Sequence, residues 1–118
     1  MKNILVIDDS PTERYIIAEI LIKAGYQVKT VESAEAGIEK ARAEIPDLIL
    51  MDIVMPGLDG YRATRMLMRD DRTRNIPIIV CTSKKQKTDM IWSLRQGAQG
   101  FVSKPVDASE LLAKIAAL

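Results

Sequence analysis

The feature that most constrains this chain is a rhythm. Short unbroken apolar runs, "ILVI" at 4–7, "LILM" at 48–51 and "IPIIVC" at 76–81, alternate with longer stretches of helical amphipathic pattern. An unbroken run of this length suits a strand buried on both faces, and such strands belong to parallel sheets covered by helices on either side. "QVKTV" at 27–31 alternates with period two, as an edge or half-exposed strand does, and "GFVS" at 100–103 is the fifth and shortest strand. Helices are expected at 11–24, from Ser33 to the break at Pro46, at about 60–68, at about 87–96, and from about Ala108 to the end. Five strands alternating with five helices predict an α/β, doubly wound fold with a mostly parallel sheet and helices on both faces.

The first helix is the best punctuated. Ser10 is a candidate N-cap, Pro11 suits the first helical position, and Glu13 completes a Ser-x-x-Glu capping box. Gly25 stands where a left-handed residue ends a helix, and Ile16, Ile17, Ile20, Leu21 and Ala24 form the expected buried face. In the second helix the corresponding residues are Ala34, Ile38 and Ala41.

A chain of 118 residues has room for one ordinary domain, so 1–118 is expected to be a single unit with one core and no output domain. Its start, "MKNILVIDDS", fits neither a signal peptide nor a membrane span, which predicts a cytoplasmic protein with no membrane insertion. There is no histidine, so the commonest general base and metal ligand at neutral pH is missing. Cys81, the one cysteine, lies inside an apolar run and reads as a core thiol. Any chemistry must therefore rest on carboxylates, hydroxyls and lysines.

Open parallel sheets form their sites outside the carboxyl ends of the strands. Those ends carry Asp8 and Asp9, Asp52, Thr82, and Ser103 with Lys104 and Pro105. Each residue alone has a plain structural use, as a cap, a turn or a solvated charge. Together they are harder to explain that way, since Ser10 already caps the first helix and Asp59 can cap the third. Carboxylates about 5 Å apart repel by roughly 3 kcal/mol per pair at an effective dielectric of 20, and a hard divalent cation relieves that repulsion. Carboxylates that leave positions for water and phosphate oxygens fit Mg²⁺ better than an all-protein calcium cage. Without histidine or a cysteine pair, a structural zinc site is implausible. A carboxylate beside a metal, a lysine and a hydroxyl has the parts for phosphoryl transfer to an aspartate. Asp52 is the best nucleophile candidate: it follows a buried strand and precedes "MPGLDG", whose Pro56-Gly57 pair suits a type II turn.

In this order and spacing, "VIDDS", "LILMDIVMPGLDG", "VCTS" and "GAQGFVSKPV" resemble the CheY-like receiver domain of two-component response regulators. The resemblance covers nearly the whole chain. It implies a flavodoxin-like five-stranded parallel sheet of order 2-1-3-4-5, which would bring Asp8, Asp9 and Asp52 together. It further implies Asp52 as phosphoacceptor, Asp9, Asp52 and the main-chain carbonyl of Val54 as Mg²⁺ ligands, and Asp8 acting mainly through metal-bound water. Thr82 matches the switch hydroxyl, Lys104 the phosphate-pairing lysine, and Phe101 the aromatic switch position, here without the hydroxyl of the commoner Tyr. The bond before the matching proline is usually cis in the family, which makes Lys104-Pro105 a candidate.

"DDSPTE", "MDIVMPGLDGYRATR" and "TDMIWSLRQGAQGFVSKPVD" look more narrowly like the stand-alone receivers of twitching-motility chemosensory systems, the PilH type. That implies a chemotaxis-type histidine kinase as phosphodonor and a downstream protein target, or a phosphate-sink role, in type IV pilus signalling. A monomer or weak dimer is expected, with slow self-dephosphorylation. In the implied switch, phosphate draws in Thr82 and Lys104, Phe101 turns into the vacated space, and the surface of the fourth helix, fifth strand and fifth helix changes.

Two readings compete. An aspartate-nucleophile phosphatase also combines acids, Mg²⁺ and a lysine, but it typically places a general acid two residues after the nucleophile, where this chain has Val54. A receiver-like adaptor that is never phosphorylated sits poorly with an intact constellation. Arg62, Arg65 and Arg69 share a helical face, followed by Arg72, Arg74, Lys84, Lys85 and Lys87. Interrupting acids and a net charge of +1 argue against direct nucleic-acid binding. Trp92 either packs on the sheet or marks an interface.

Overall fold

The computed structural model describes residues 2–83 and 87–118, and of residues 87–90 the backbone alone. Its elements are β1 (Asn3–Ile7), α1 (Pro11–Lys23), β2 (Gln27–Val31), α2 (Ala34–Glu44), β3 (Leu48–Met51), α3 (Gly60–Arg69), β4 (Ile78–Thr82), α4 (Lys87–Arg95), β5 (Gly100–Ser103) and α5 (Ala108–Ala116). All strand pairs are parallel, and the sheet order is β2-β1-β3-β4-β5.

The apolar runs behave as their composition demands. Every residue of β3 and β4 is buried, and successive side chains enter opposite faces. Leu5, Ile7, Ile49, Met51 and Ile78 pack under α2 and α3, with Ile38 and Leu67. Ile4, Val6, Leu48, Leu50, Ile79 and Cys81 pack under α1 and α5, with Leu21 and Leu111. The single expected core is therefore split by the sheet into two layers. A smaller cluster of Ile53, Val80, Ala98 and Phe101, flanked by Tyr61, closes the end that carries the site. β2, with its alternating sequence, is a sheet edge and the least buried strand.

Local differences from the expectation have local causes. β4 begins at Ile78 rather than Ile76, because Pro77 has no N–H for the ladder, although its carbonyl still accepts from Ile49 N at 3.0 Å. The strand runs on through Thr82, which pairs with Ser103. On α1 the buried stripe narrows to Ile17 and Leu21, one turn apart, while Ile16 and Ala24 are exposed. Ser10 caps the helix by accepting from Glu13 N at 3.3 Å. The reciprocal half of the expected capping box goes elsewhere: Ser10 N donates to Asp8 Oδ1 at 2.9 Å. The chain leaves α1 through Gly25, with Tyr26 N bonded to Leu21 O and Gly25 N to Ile22 O. α2 ends before Pro46 as expected, but through Ile45 in the left-handed region at φ 46°, which is uncommon for a β-branched residue.

Candidate functional site

At the carboxyl end of the sheet, hydrogen bonding continues one residue past three of the strands. Asp8 N donates to Val31 O at 3.2 Å, Asp52 N to Ile7 O at 3.0 Å, and Lys104 N to Thr82 O at 2.8 Å. Each candidate side chain thus leaves a backbone already held by its neighbour. This is a rigid way to bring residues from distant sequence positions to one rim.

The sheet order makes β1 and β3 neighbours, and ligand-type oxygens of Asp8, Asp9 and Asp52 lie within 4.8 Å of one another. Asp8 and Asp52 are buried and Asp9 is exposed, so the cluster opens to solvent on one side. Lys104 answers part of this charge. Its Nζ lies 2.5 Å from Asp8 Oδ2 and 3.8 Å from Asp52 Oδ2, so its closer partner is Asp8. Burial opposes the Lys104 charge, but the hydrogen bond to Asp8 and the nearby carboxylates outweigh it and hold the ammonium pKa above its usual value.

Asp52 has a different environment. Burial pushes its carboxyl up to about 6, with the Asp8 charge acting in the same direction. The Lys104 ammonium, the Thr82 hydroxyl and the Val54 N–H, the latter two donating to the carboxylate, pull the other way without cancelling the rise. Asp52 is therefore a poorly solvated carboxylate with few internal donors, a group that gains from an incoming cation. The three acids offer only hard oxygen donors, a set that suits Mg²⁺.

The segment after Asp52 turns the chain away from it. Gly57 has φ +78°, the value a type II turn requires at its third residue. Asp59 caps α3 by accepting from Arg62 N at 2.9 Å, leaving Asp52 free of that duty. Gly60 was not singled out from the sequence, yet it is a position where the fold leaves no room for a side chain. A Cβ built there would lie 2.2 Å from the Asp52 carbonyl oxygen and 2.8 Å from Ile53 Cα. Helix α3 can begin against the backbone of Asp52 only because residue 60 has no side chain. The "LDG" of the turn is the signal that could have pointed to it. Gly60→Ala is expected to destabilise the fold by about 3 kcal/mol or more, since backbone must move, and urea denaturation will read this as a lower midpoint.

Thr82 is fully buried and its hydroxyl is turned to Asp52. Phe101 packs inward, 9% exposed, against Ile53, Val80 and Ala98. Its carbonyl accepts from Lys114 Nζ, which ties α5 to β5. Val54 meets Asp52 through its N–H, and its side chain is solvent-exposed. The Lys104-Pro105 bond is cis. Cys81 is buried and its thiol is pushed up to about 12 by burial, as an inert core residue should be. Trp92 is 51% exposed, which settles its position as surface. Lys84 and Lys85 lie outside the described residues, as does the side chain of Lys87. Among the described residues no helix is long and apolar enough to cross a membrane.

Comparison with known proteins agrees with this geometry. Over 118 residues the chain is 50% identical to Protein PilH of Pseudomonas aeruginosa, covering all of this chain and 98% of that protein. The crystal structure of chemotaxis protein CheY4 of Vibrio cholerae superposes with a TM-score of 0.92 at 26% identity, covering 99% of this chain and 98% of that one. The receiver domain of sensor histidine kinase PA1611 from Pseudomonas aeruginosa matches with a TM-score of 0.87 at 32% identity, over 95% of this chain and 92% of its own. That receiver has a magnesium ion coordinated in its active site cleft. The model of the response regulator receiver domain matches residues 4–116. By that match, which spans nearly its whole length, the chain belongs to the receiver domains of two-component response regulators.

Proposed function

We propose that the protein is a stand-alone response regulator whose Asp52 accepts a phosphoryl group from a chemotaxis-type histidine kinase in the cytoplasm. The observation that carries this reading is the cluster of Asp8, Asp9 and Asp52 within 4.8 Å, with Lys104 reaching both buried members. In the transfer an Asp52 oxygen bonds to phosphorus as the phosphorus–nitrogen bond of the donor phosphohistidine breaks, leaving the electron pair on the imidazole. Asp8, Asp9, Asp52 and the Val54 carbonyl would hold Mg²⁺, with Asp8 acting through bound water. When bound, the metal neutralises charge on the phosphoryl oxygens. Lys104 Nζ, 3.8 Å from Asp52 Oδ2, and the Thr82 hydroxyl beside Asp52 would pair with the new phosphate.

Thr82 and Phe101 belong to paired strands, and Lys114 joins the Phe101 backbone to α5. A small shift of Thr82 and Lys104 toward phosphate would therefore reach α5 through β5 and alter the α4-β5-α5 surface seen by a protein target. Likeness to PilH favours a role in type IV pilus or chemosensory signalling, and the slow loss of phosphate would be the protein's own. The phosphatase alternative is not favoured: the position of its general acid is held by the exposed Val54.

The test is to incubate the protein with a small phosphodonor in Mg²⁺ or in EDTA and record intact mass. One phosphoryl group is expected in Mg²⁺, little in EDTA, and less in Asp9→Ala than in the wild type at limiting Mg²⁺. A wild type that gains no phosphoryl group in Mg²⁺ overturns the reading.

A further inference from the structure

Helix α3 carries three arginines and no acid among its ten residues. Ala63, Thr64 and Leu67 face the core, while Arg62, Arg65, Met66 and Arg69, spaced three and four apart, form one exposed stripe. Met66 is 44% exposed. The stripe continues onto α4. Arg65 Nε donates to Gln96 Oε1 at 2.7 Å, and Gln96 N donates to Trp92 O, placing the exposed Trp92 one turn back on the side of α4 that meets α3. Arg95, also exposed, lies three residues beyond Trp92.

No carboxylate among the described residues forms an ion pair with Arg62, Arg65, Arg69 or Arg95. The described acids that flank α3 in sequence are already engaged. Asp70 is held by Arg42 and Arg72, Asp71 by Arg74, and Asp59 by the start of α3. The neutral amide of Gln96 orients Arg65 without offsetting its charge. An exposed tryptophan and methionine on a face whose guanidinium groups have no ion pair among the described residues have the composition of an interface centre rather than of an ordinary solvated face.

We propose that this α3–α4 face is a docking surface for an acidic segment of a partner protein, one that brings carboxylates to the arginines and an apolar side chain to Trp92 and Met66. The proposal goes beyond the phosphoacceptor reading and does not depend on it. Charge complementarity selects the acidic occupant. A protein is favoured over nucleic acid because the centre of the patch is apolar, and a chain of net charge +1 has no broad basic field for a phosphate backbone.

Trp92 is the chain's one tryptophan and reports directly on docking. The probe is a synthetic amphipathic peptide of Glu, Leu and a single Phe, compared with the same peptide carrying Gln for every Glu. Addition of the Glu peptide at low salt is expected to shift Trp92 emission to shorter wavelength, with an affinity that weakens as salt rises. Arg65→Gln with Arg69→Gln is expected to weaken binding about tenfold or more, read by anisotropy of a labelled peptide. Trp92→Ala should do the same, whereas Lys23→Gln on α1 should leave binding unchanged. Unchanged thermal midpoints will show that the variants fold. No emission shift, equal binding of the Gln peptide, full binding by the arginine variant, or equal weakening by Lys23→Gln overturns the proposal. Tighter binding of duplex DNA than of the Glu peptide at this face would also overturn it.

Discussion

Asp52→Asn is expected to abolish phosphoryl acceptance and, at neutral pH in EDTA, to make the protein more stable. The second result follows from the burial that raises the Asp52 pKa from 3.8 to about 6. Between those values the folded chain binds more protons than the unfolded one, so stability falls as pH rises. The stability linked to this proton is fully present below about pH 3.8 and is lost as pH passes through about 6. A rise of about two units corresponds to roughly 2–3 kcal/mol of unfavourable ionisation at pH 7.5. Asparagine keeps the shape of the side chain without that charge. Urea titrations across pH should show the variant above the wild type at pH 7.5 and level with it near pH 4. Equal stability at pH 7.5 would mean that Asp52 is not strained by burial.

Lys104→Ala is expected to have the opposite sign and a larger size. Lys104 is 9% exposed and supplies the described cation closest to the buried carboxylates of Asp8 and Asp52. Removing one partner from a buried ion pair costs about 3–5 kcal/mol because the remaining charge stays desolvated. In a domain stabilised by about 5–15 kcal/mol, that loss approaches unfolding. The variant should recover part of the loss in Mg²⁺, since the cation replaces some of the missing charge, and recover again on acidification as Asp52 takes up a proton. Lys104→Met separates lost charge from lost volume and should behave like Lys104→Ala. Denaturation midpoints that do not respond to Mg²⁺ in either variant would show that the acids do not hold the metal.

Much of the architecture was readable because its causes are local. Leu48 to Met51 declares a two-sided strand by being apolar throughout, and Asp52 stands out because it follows that run. Ser10 and Asp59 mark helix starts through bonds that span only a few residues, and Pro11 does so through its fixed φ. What was hidden depends on approach between distant segments. Lys104 chooses Asp8, 96 residues away, because of where β1 and β5 end in the sheet. The need for glycine at position 60 arises only when α3 meets the Asp52 backbone. Ser10 N pairs with Asp8, at the end of β1, instead of with Glu13 on the helix. Phe101 packs with Ile53, Val80 and Ala98, neighbours that come from three other segments of the chain. The strand order itself came from a resemblance, since apolar periodicity identifies strands without ordering them.

The measurement that tests the central claim most directly is identification of the phosphorylated residue. After reaction with a small phosphodonor in Mg²⁺, borohydride reduction converts an aspartyl phosphate to homoserine, and peptide mass spectrometry locates it. The account predicts homoserine at position 52 and at no other acid, with none formed in EDTA. Homoserine at Asp8 or Asp9, or an intact Asp52 in protein that has gained a phosphoryl group, would contradict it.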